Sequence, residues 1–368
     1  METDDYIDLN MYENLYSLAL ESKADYVKGS AVRFLGLSGD RIYSRKIEVF
    51  TEKEFEEHNG LVTVNLSLTA KLILKDYYLW SGIYKKDFIK SILLNETPGA
   101  AYQDIGFLIQ TFCKAKKAIY TDKIFYYYRQ DNPSASGYNP KAFRFLVEEY
   151  KYVDSLLQNQ GEEWHILSYC KLFRQTNHRI RLMAISGSLW DSATSDLQAI
   201  SNKLKEAISR NEMVTEILTD QERWEFDLMI QNPKSLYDHY KAAEIERSRE
   251  LTALLNNLSS AKGIVVFGCG QLGEFVPALL DLNGIDKIEA HCDNNSNLWG
   301  KDLQGKPIIS PTQALLDFPQ GTYLIANKAH RQEIKEQLMT MGISADNIYE
   351  YTAGLDPLLL SKIYLDRQ

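Results

Sequence analysis

Residues 263–273 leave this chain few options. Gly263-Ile264-Val265-Val266-Phe267 is an unbroken apolar run, and Gly268-Cys269-Gly270-Gln271-Leu272-Gly273 follows it with no spacer. A short apolar run between turn-forming residues reads as a strand buried on both faces. In a G-x-G-x-x-G turn that leaves a strand and opens a helix, the first glycine permits the tight turn. The second lets a pyrophosphate approach the backbone, and the third lets helix and strand pack closely. Asp293 stands about 20 residues further on, at the end of the next apolar segment, where a carboxylate can accept from ribose hydroxyls. Gly268, Gly270, Gly273 and Asp293 are therefore the candidate nucleotide-binding residues.

The flanking pattern extends this reading. Ile288–Cys292 and Thr322–Ala326 read as further strands. The stretch from Leu272, Pro311–Leu316 and Ala329–Met341 read as helices. Strands alternating with helices across short loops predict a parallel sheet covered on both faces. The expectation is a Rossmann-like domain over 263–352 and a tail over 353–368. Upstream, 141–262 is helical almost throughout, with breaks near Gly161, at Ser186-Gly187-Ser188 and at Pro233. Leu251, Leu254, Leu255 and Leu258 form an apolar stripe, suited to internal packing or to a second subunit in a homo-oligomer. Residues 1–140 mix element types. A helix is expected over 8–22, with Asn10 and Glu13 at capping-box spacing, and a strand over 25–35. Residues 38–70 read as loop and short strand. A helix near 86–92, a turn at 95–100 and a helix over 103–115 follow, then two short strands, 118–121 and 124–129. The fold class is α/β.

Composition narrows the partners. The net charge of −9 disfavours nucleic acid, whose phosphates call for lysine and arginine. The basic cluster Arg174, His178, Arg179 and Arg181 suits an anionic lipid, a diphosphate or a solvated helix face. Cys113, Cys170, Cys269 and Cys292 include no C-x-x-C pair, which argues against a zinc or dithiol motif. No apolar run reaches the ~20 residues of a membrane helix. The start Met1-Glu2-Thr3-Asp4-Asp5 lacks the pattern of a signal peptide. A cytoplasmic protein is expected, with peripheral membrane contact left open. The 23 tyrosines suit either stacking on sugars or ordinary cores.

Several islands together resemble inverting GT-A glycosyltransferases of the family-two type that serve bacterial polysaccharides. Glu2-Thr3-Asp4-Asp5-Tyr6, then Met11-Tyr12-Glu13-Asn14-Leu15-Tyr16, is similar to the segment around that family's D-x-D motif. Trp80-Ser81-Gly82-Ile83-Tyr84-Lys85-Lys86-Asp87-Phe88 resembles its strand-to-helix segment. The stretch from Asn95 to Gln103-Asp104 resembles its acceptor-side turn. Tyr126-Tyr127-Tyr128-Arg129 with Asn132, Pro133, Ser134 and Ser136 resembles its closing segment. The resemblance implies Asp104 as catalytic base and Trp80, Gln103, Arg129 and Ser134 at the substrates. It implies Asp4 as main ligand of Mn²⁺ or Mg²⁺, with Glu2 where the family has its first Asp. The chemistry suits these residue types. A sugar hydroxyl needs a base to take its proton, a departing diphosphate gains charge that a divalent ion offsets, and an arginine can grip phosphate bidentately.

In that family the half that grips the nucleotide base precedes the D-x-D motif, on which this chain nearly begins. The resemblance thus implies a partial GT-A domain over 1–140 that does not transfer sugar by itself. Residues 263–350 also resemble a Rossmann-like module appended to some bacterial glycosyltransferases and sugar-modifying proteins. Cys292-Asp293-Asn294-Asn295, Trp299-Gly300-Lys301 and Gly305 to Pro311 carry that likeness. The function implied is transfer of a sugar from a nucleotide-sugar donor to a glycan acceptor in cell-surface polysaccharide synthesis. The alternative is a non-catalytic remnant whose Rossmann-like domain binds a nucleotide sugar or mediates assembly. No Tyr-x-x-x-Lys pair within 263–352 supports hydride transfer.

Overall fold

A computed structural model describes residues 4–35, 42–64, 69–96, 101–130, 142–187 and 190–354. The architecture is α/β. The elements in chain order are β1 (Tyr6–Ile7), α1 (Met11–Ser22), β2 (Tyr26–Leu35), β3 (Ile42–Ile47), α2 (Glu52–Glu57), β4 (Leu61–Val64), α3 (Leu72–Lys75), β5 (Gly82–Tyr84), α4 (Lys86–Ile89), α5 (Gln103–Lys114) and β6 (Ala118–Arg129). Five helices follow: α6 (Ala142–Leu157), α7 (Glu162–Ile185), α8 (Thr194–Ser209), α9 (Asp220–Gln231) and α10 (Pro233–Ser259). The chain ends with β7 (Ile264–Phe267), α11 (Gln271–Leu282), β8 (Ile288–Cys292), β9 (Asp302–Leu303), β10 (Lys306–Ile309), α12 (Pro311–Asp317), β11 (Thr322–Ile325), α13 (Arg331–Thr340) and β12 (Ile348–Glu350). Two compact units result: residues 1–33 with 45–244, and residues 34–44 with 245–368.

The first unit is built on a sheet in which β1, β6 and β2 are neighbours, with β4 also paired to β6 and β5 to β2. Side chains on a strand alternate between faces, and both faces of β2 and β6 are buried. Tyr26, Ala118 and Tyr120 enter a large core shared with α5 to α9. Val27, Ile119 and Phe125 pack with Met11 and Leu15 of α1 on the other side. The two short strands expected over 118–129 are one 12-residue strand. Its first part pairs with β4 and its last part with β1, and no glycine or proline interrupts it.

Two further expectations are corrected. The Asn10–Glu13 capping box does not form. Asn10 sits at φ −96°, ψ 6° rather than in the extended conformation that aims a capping side chain at the helix. Asp8 takes over, its carboxylate accepting from the Asn10 amide at 2.8 Å and its carbonyl from the Met11 amide at 3.0 Å. Within 38–70, read as loop and strand, lies the helix α2. It opens on a complete capping box between Thr51 and Glu54.

The second unit has the sheet order β12-β11-β7-β8-β10-β9. All pairings are parallel except the edge hairpin β9–β10. Ile264, Val266 and Leu324 face α11 and the end of α10. Val265, Phe267, Tyr323 and Ile325 face α12 and α13. This two-sided burial explains why β7 is apolar without alternation. Leu251 and Leu258 of the stripe on α10 are buried in this unit's own core, with Leu254 and Leu255 packed against it. The chain leaves β7 toward β8 and β10 on one side and returns to β11 and β12 on the other. That reversal places a crevice at the carboxyl ends of β7 and β11, where open α/β sheets bind ligands.

Candidate functional site

In the first unit, Gln103 and Asp104 open α5 and are both half-buried. Tyr102, just before them, holds φ +76°. A left-handed conformation in a residue with a Cβ costs about 1–2 kcal/mol, and such strain persists only where the surroundings enforce it. Burial pushes the Asp104 carboxyl above the usual carboxylate range. Lys171, the amides of Ile105 and Asp104, and Arg179 pull it back in part. Lys171 and Arg179 lie on α7, eight residues apart and hence about two turns along one helix face. The Arg179 guanidinium carbon is 4.8 Å from the Tyr102 ring centroid.

Lys171 belongs to a buried polar network beneath this point. Its Nζ donates to the Asp76 carbonyl at 3.3 Å and lies 4.2 Å from the Tyr77 ring centroid. Burial pulls its pKa down to about 8, against the opposing pull of Asp104 and Asp76. Lys28, near the start of β2, donates from Nζ to both Asp76 carboxylate oxygens at 2.6 Å and also to the Tyr78 carbonyl. The Tyr120 hydroxyl donates to Asp76 Oδ2 at 2.8 Å and lies 3.1 Å from the Tyr26 hydroxyl. Asp76 is thus the hub that fixes Lys28 and Lys171, and through its chain neighbours Tyr77 and Tyr78.

Tyr78 leads to an aromatic wall. Trp80 stacks on Tyr126 with centroids 3.8 Å apart, and lies 4.7 Å from Tyr78 and 5.1 Å from Tyr128. Arg33 Nη2 donates to the Tyr78 hydroxyl at 3.0 Å. The turn Leu79–Ser81, which carries Trp80, packs against α5, so the wall and the Asp104 corner belong to one region. Asp5 completes it: its carboxylate accepts from the Tyr126 hydroxyl at 2.7 Å and the Arg129 amide at 2.8 Å. The structure thereby brings Trp80, Arg129, Asp4 and Asp104 into one part of the unit. Glu2 and Ser134, with Asn132, Pro133 and Ser136, lie outside the described residues. Asp87 and Asp122 are exposed, Asp87 pairing with Lys90 at 3.2 Å.

A divalent ion at Asp4 fits only in part. Among the described residues no three of His, Cys, Asp and Glu gather as a metal site. Asp5, the adjoining carboxylate, already accepts hydrogen bonds on both oxygens.

In the second unit the three loop glycines differ in what they do. A Cβ on Gly273 would stand 2.0 Å from the Gly268 carbonyl oxygen. Gly268 holds φ +111°, and a Cβ there would stand 2.9 Å from the Ala326 carbonyl. Gly270 holds φ −82°, and a Cβ on it would meet no atom within 4 Å. The fold requires glycine at 268 and 273. At 270 it leaves open space at the start of α11, where helix amides point outward and favour anions. Asp293 accepts from the Cys269 amide at 2.8 Å through Oδ2 and from the Asn295 amide at 2.8 Å through Oδ1. It braces the loop, and each oxygen keeps a lone pair for a hydroxyl. A nucleotide diphosphate fits these residues. Trp299, 43% exposed, borders the site and donates from its indole to the Asp293 carbonyl at 2.8 Å.

Sequence reasoning missed Lys28, Asp76, Lys171 and Tyr102 and left Arg179 among solvated alternatives. A lysine inside the apolar segment Tyr26–Phe34 was the one available signal.

Residues 260–349 match the protein family described as C2185-like, N-terminal. No match was found among curated proteins. Among solved structures, the chain is similar to S. aureus TarS, residues 1–349, at TM-score 0.40 and 14% identity, covering 68% of this chain and 65% of that one. It thus spans just under two thirds of that structure's length. It is also similar to RSP, a Rex-family repressor, at TM-score 0.23 and 13% identity, covering 49% of this chain and 96% of that one. RSP in complex with beta-NADH matches at TM-score 0.23 and 13% identity, covering 55% and 93%. Likenesses this distant carry no activity across.

Proposed function

We propose that the first unit takes part in inverting glycosyl transfer from a nucleotide sugar to a glycan hydroxyl, with Asp104 as general base, and that the second unit binds a nucleotide diphosphate group at Gly268–Gly273. The observation that carries the first part is the setting of Asp104. A half-buried carboxylate opens α5, its pKa raised by burial, with Lys171 and Arg179 beside it and the Trp80–Tyr126 wall in the same region. A raised carboxylate is the better proton acceptor near neutrality. Asp104 would take the acceptor's hydroxyl proton as its oxygen attacks the anomeric carbon. The Trp80 face would pack on a sugar ring, and Arg129 would face the diphosphate. The cell-surface polysaccharide context and the Mn²⁺ or Mg²⁺ at Asp4 belong to this reading through the family resemblance.

The test is acceptor-dependent release of nucleoside diphosphate from UDP-, GDP- and dTDP-sugars with Mn²⁺, by an enzyme in which this chain is completed with a nucleotide-binding half. Asp104→Asn is expected to lower turnover by ~10²-fold or more. Turnover within a few-fold of the parent would refute the base assignment. For the second unit, the supporting observation is the open space over Gly270. Calorimetric titration with nucleotide sugars and NAD is expected to show nucleotide-sugar binding. Binding of NAD alone, with turnover of an alcohol, would replace this reading with a redox one.

A further inference from the structure

Among the described residues, the cations named around Asp104 are held in different ways. Lys28 is paired with Asp76 at 2.6 Å, Arg174 with Glu222 at 2.7 Å, and Lys171 faces Asp104 and Asp76. Arg179, which shares the α7 face with Lys171, makes no ion pair among the described residues. Its Nη1 is buried and makes no hydrogen bond, and the same is true of the Tyr102 hydroxyl oxygen. The two groups are neighbours, stacked guanidinium on ring at 4.8 Å. Both residues are only half-buried overall. Buried donors are nearly always satisfied in folded proteins, and two left unmade side by side point to a ligand that makes the bonds. The ligand's chemistry follows from the donors. A guanidinium offers a planar fork of N–H groups and a phenol one O–H, a set that matches phosphate-type oxygens. Lys171, which also acts on Asp104, adds a second positive charge.

We propose that Arg179 and the Tyr102 hydroxyl form an oxyanion site beside Asp104 that holds a phosphate group of a substrate. This rests on Asp104 marking the reacting centre. The phosphate has two possible sources, the diphosphate of the donor or a phosphate ester on the acceptor. In either case the site fixes a charged group next to the hydroxyl that Asp104 would deprotonate, and it gives the first unit selectivity for anionic over neutral substrates.

The experiment titrates the full chain with inorganic phosphate, UDP and glycerol phosphate at constant ionic strength. Arg179→Gln and Tyr102→Phe are compared with the parent. Saturable phosphate binding is expected, weakened at least tenfold by Arg179→Gln and several-fold by Tyr102→Phe. Weakened UDP binding in the variants assigns the site to the donor. Weakened glycerol phosphate binding with UDP unchanged assigns it to the acceptor. Tyr102→Phe deletes an oxygen that makes no hydrogen bond in the fold, so it decides the matter even if Arg179→Gln fails to fold. No saturable phosphate binding by the parent, or affinities within twofold in the folded variants, overturns the proposal. None of these titrations involves sugar transfer, so this outcome is separate from that of Asp104→Asn.

Discussion

Replacing Lys28 with methionine tests whether the buried network under Asp104 holds the first unit together. Lys28 and Asp76 are each 1% exposed, and the ammonium donates to both carboxylate oxygens at 2.6 Å. Lys28→Met keeps an unbranched apolar stem and removes the charge. Asp76 is then left in the core with the Tyr120 hydroxyl at 2.8 Å and the Tyr78 amide at 3.3 Å. Breaking a buried pair from one side costs about 3–5 kcal/mol, because the remaining charge loses its partner. The two surviving donors and the nearby Lys171 charge offset part of this, so a loss of about 3 kcal/mol is expected. For a unit of this size that lowers Tm by roughly 6–12 °C. The assay is urea and thermal unfolding of the full chain, followed by tryptophan fluorescence, since four of its five tryptophans lie in the first unit. Removing both charges in Lys28→Met/Asp76→Leu should cost less than the sum of the single losses, by about 1 kcal/mol or more. A single-variant loss below about 1 kcal/mol, or strict additivity, would show that the pair does not bear on stability as described.

Two further outcomes concern the second unit. His291 is buried on β8 with neither ring nitrogen hydrogen-bonded, and burial pulls its pKa down to about 4. The unfolded chain takes up this proton near pH 6.5 and the folded chain only near 4. Stability is therefore lost as pH falls through that window, by up to about 3 kcal/mol, and His291→Leu should flatten the slope; parallel pH–stability curves for parent and variant would sink the idea. Gly273→Ala, 2.0 Å from the Gly268 carbonyl, should unfold or strongly destabilise the second unit. Gly270→Ala should fold normally yet bind nucleotide sugar at least tenfold more weakly; unchanged affinity would mean that the loop holds no pyrophosphate.

The two units were not equally legible in the sequence. In the second, strand and loop are contiguous, and every signal is local: an apolar run, then glycines whose spacing dictates the turn. What escaped there was short. Asp302-Leu303 and Lys306-Pro307 pair across Gln304-Gly305, both at positive φ, and two polar pairs are too brief for a periodicity argument. In the first unit, periodicity located helices but could not say that 118–129 bridges two pairing partners. That property depends on β1 and β4, far away in the chain.

The candidate site shows the same division more sharply. Asp104 could be nominated from the sequence because helix-opening acids have a local signature and a family pattern to match. Lys28, Asp76 and Lys171 have neither, since each becomes meaningful only when residues 48 and 95 positions apart meet. Helical spacing put Arg174, His178, Arg179 and Arg181 on one segment, yet it could not distinguish their partners. Arg174 is held by Glu222, whereas Arg179 stands against Tyr102 with a donor to spare. A charge pattern on a helix therefore states only which residues share a turn. Which of them is spent on the fold, and which is left for a ligand, is decided by the opposing elements: α9 supplies a carboxylate and the start of α5 supplies an aromatic ring.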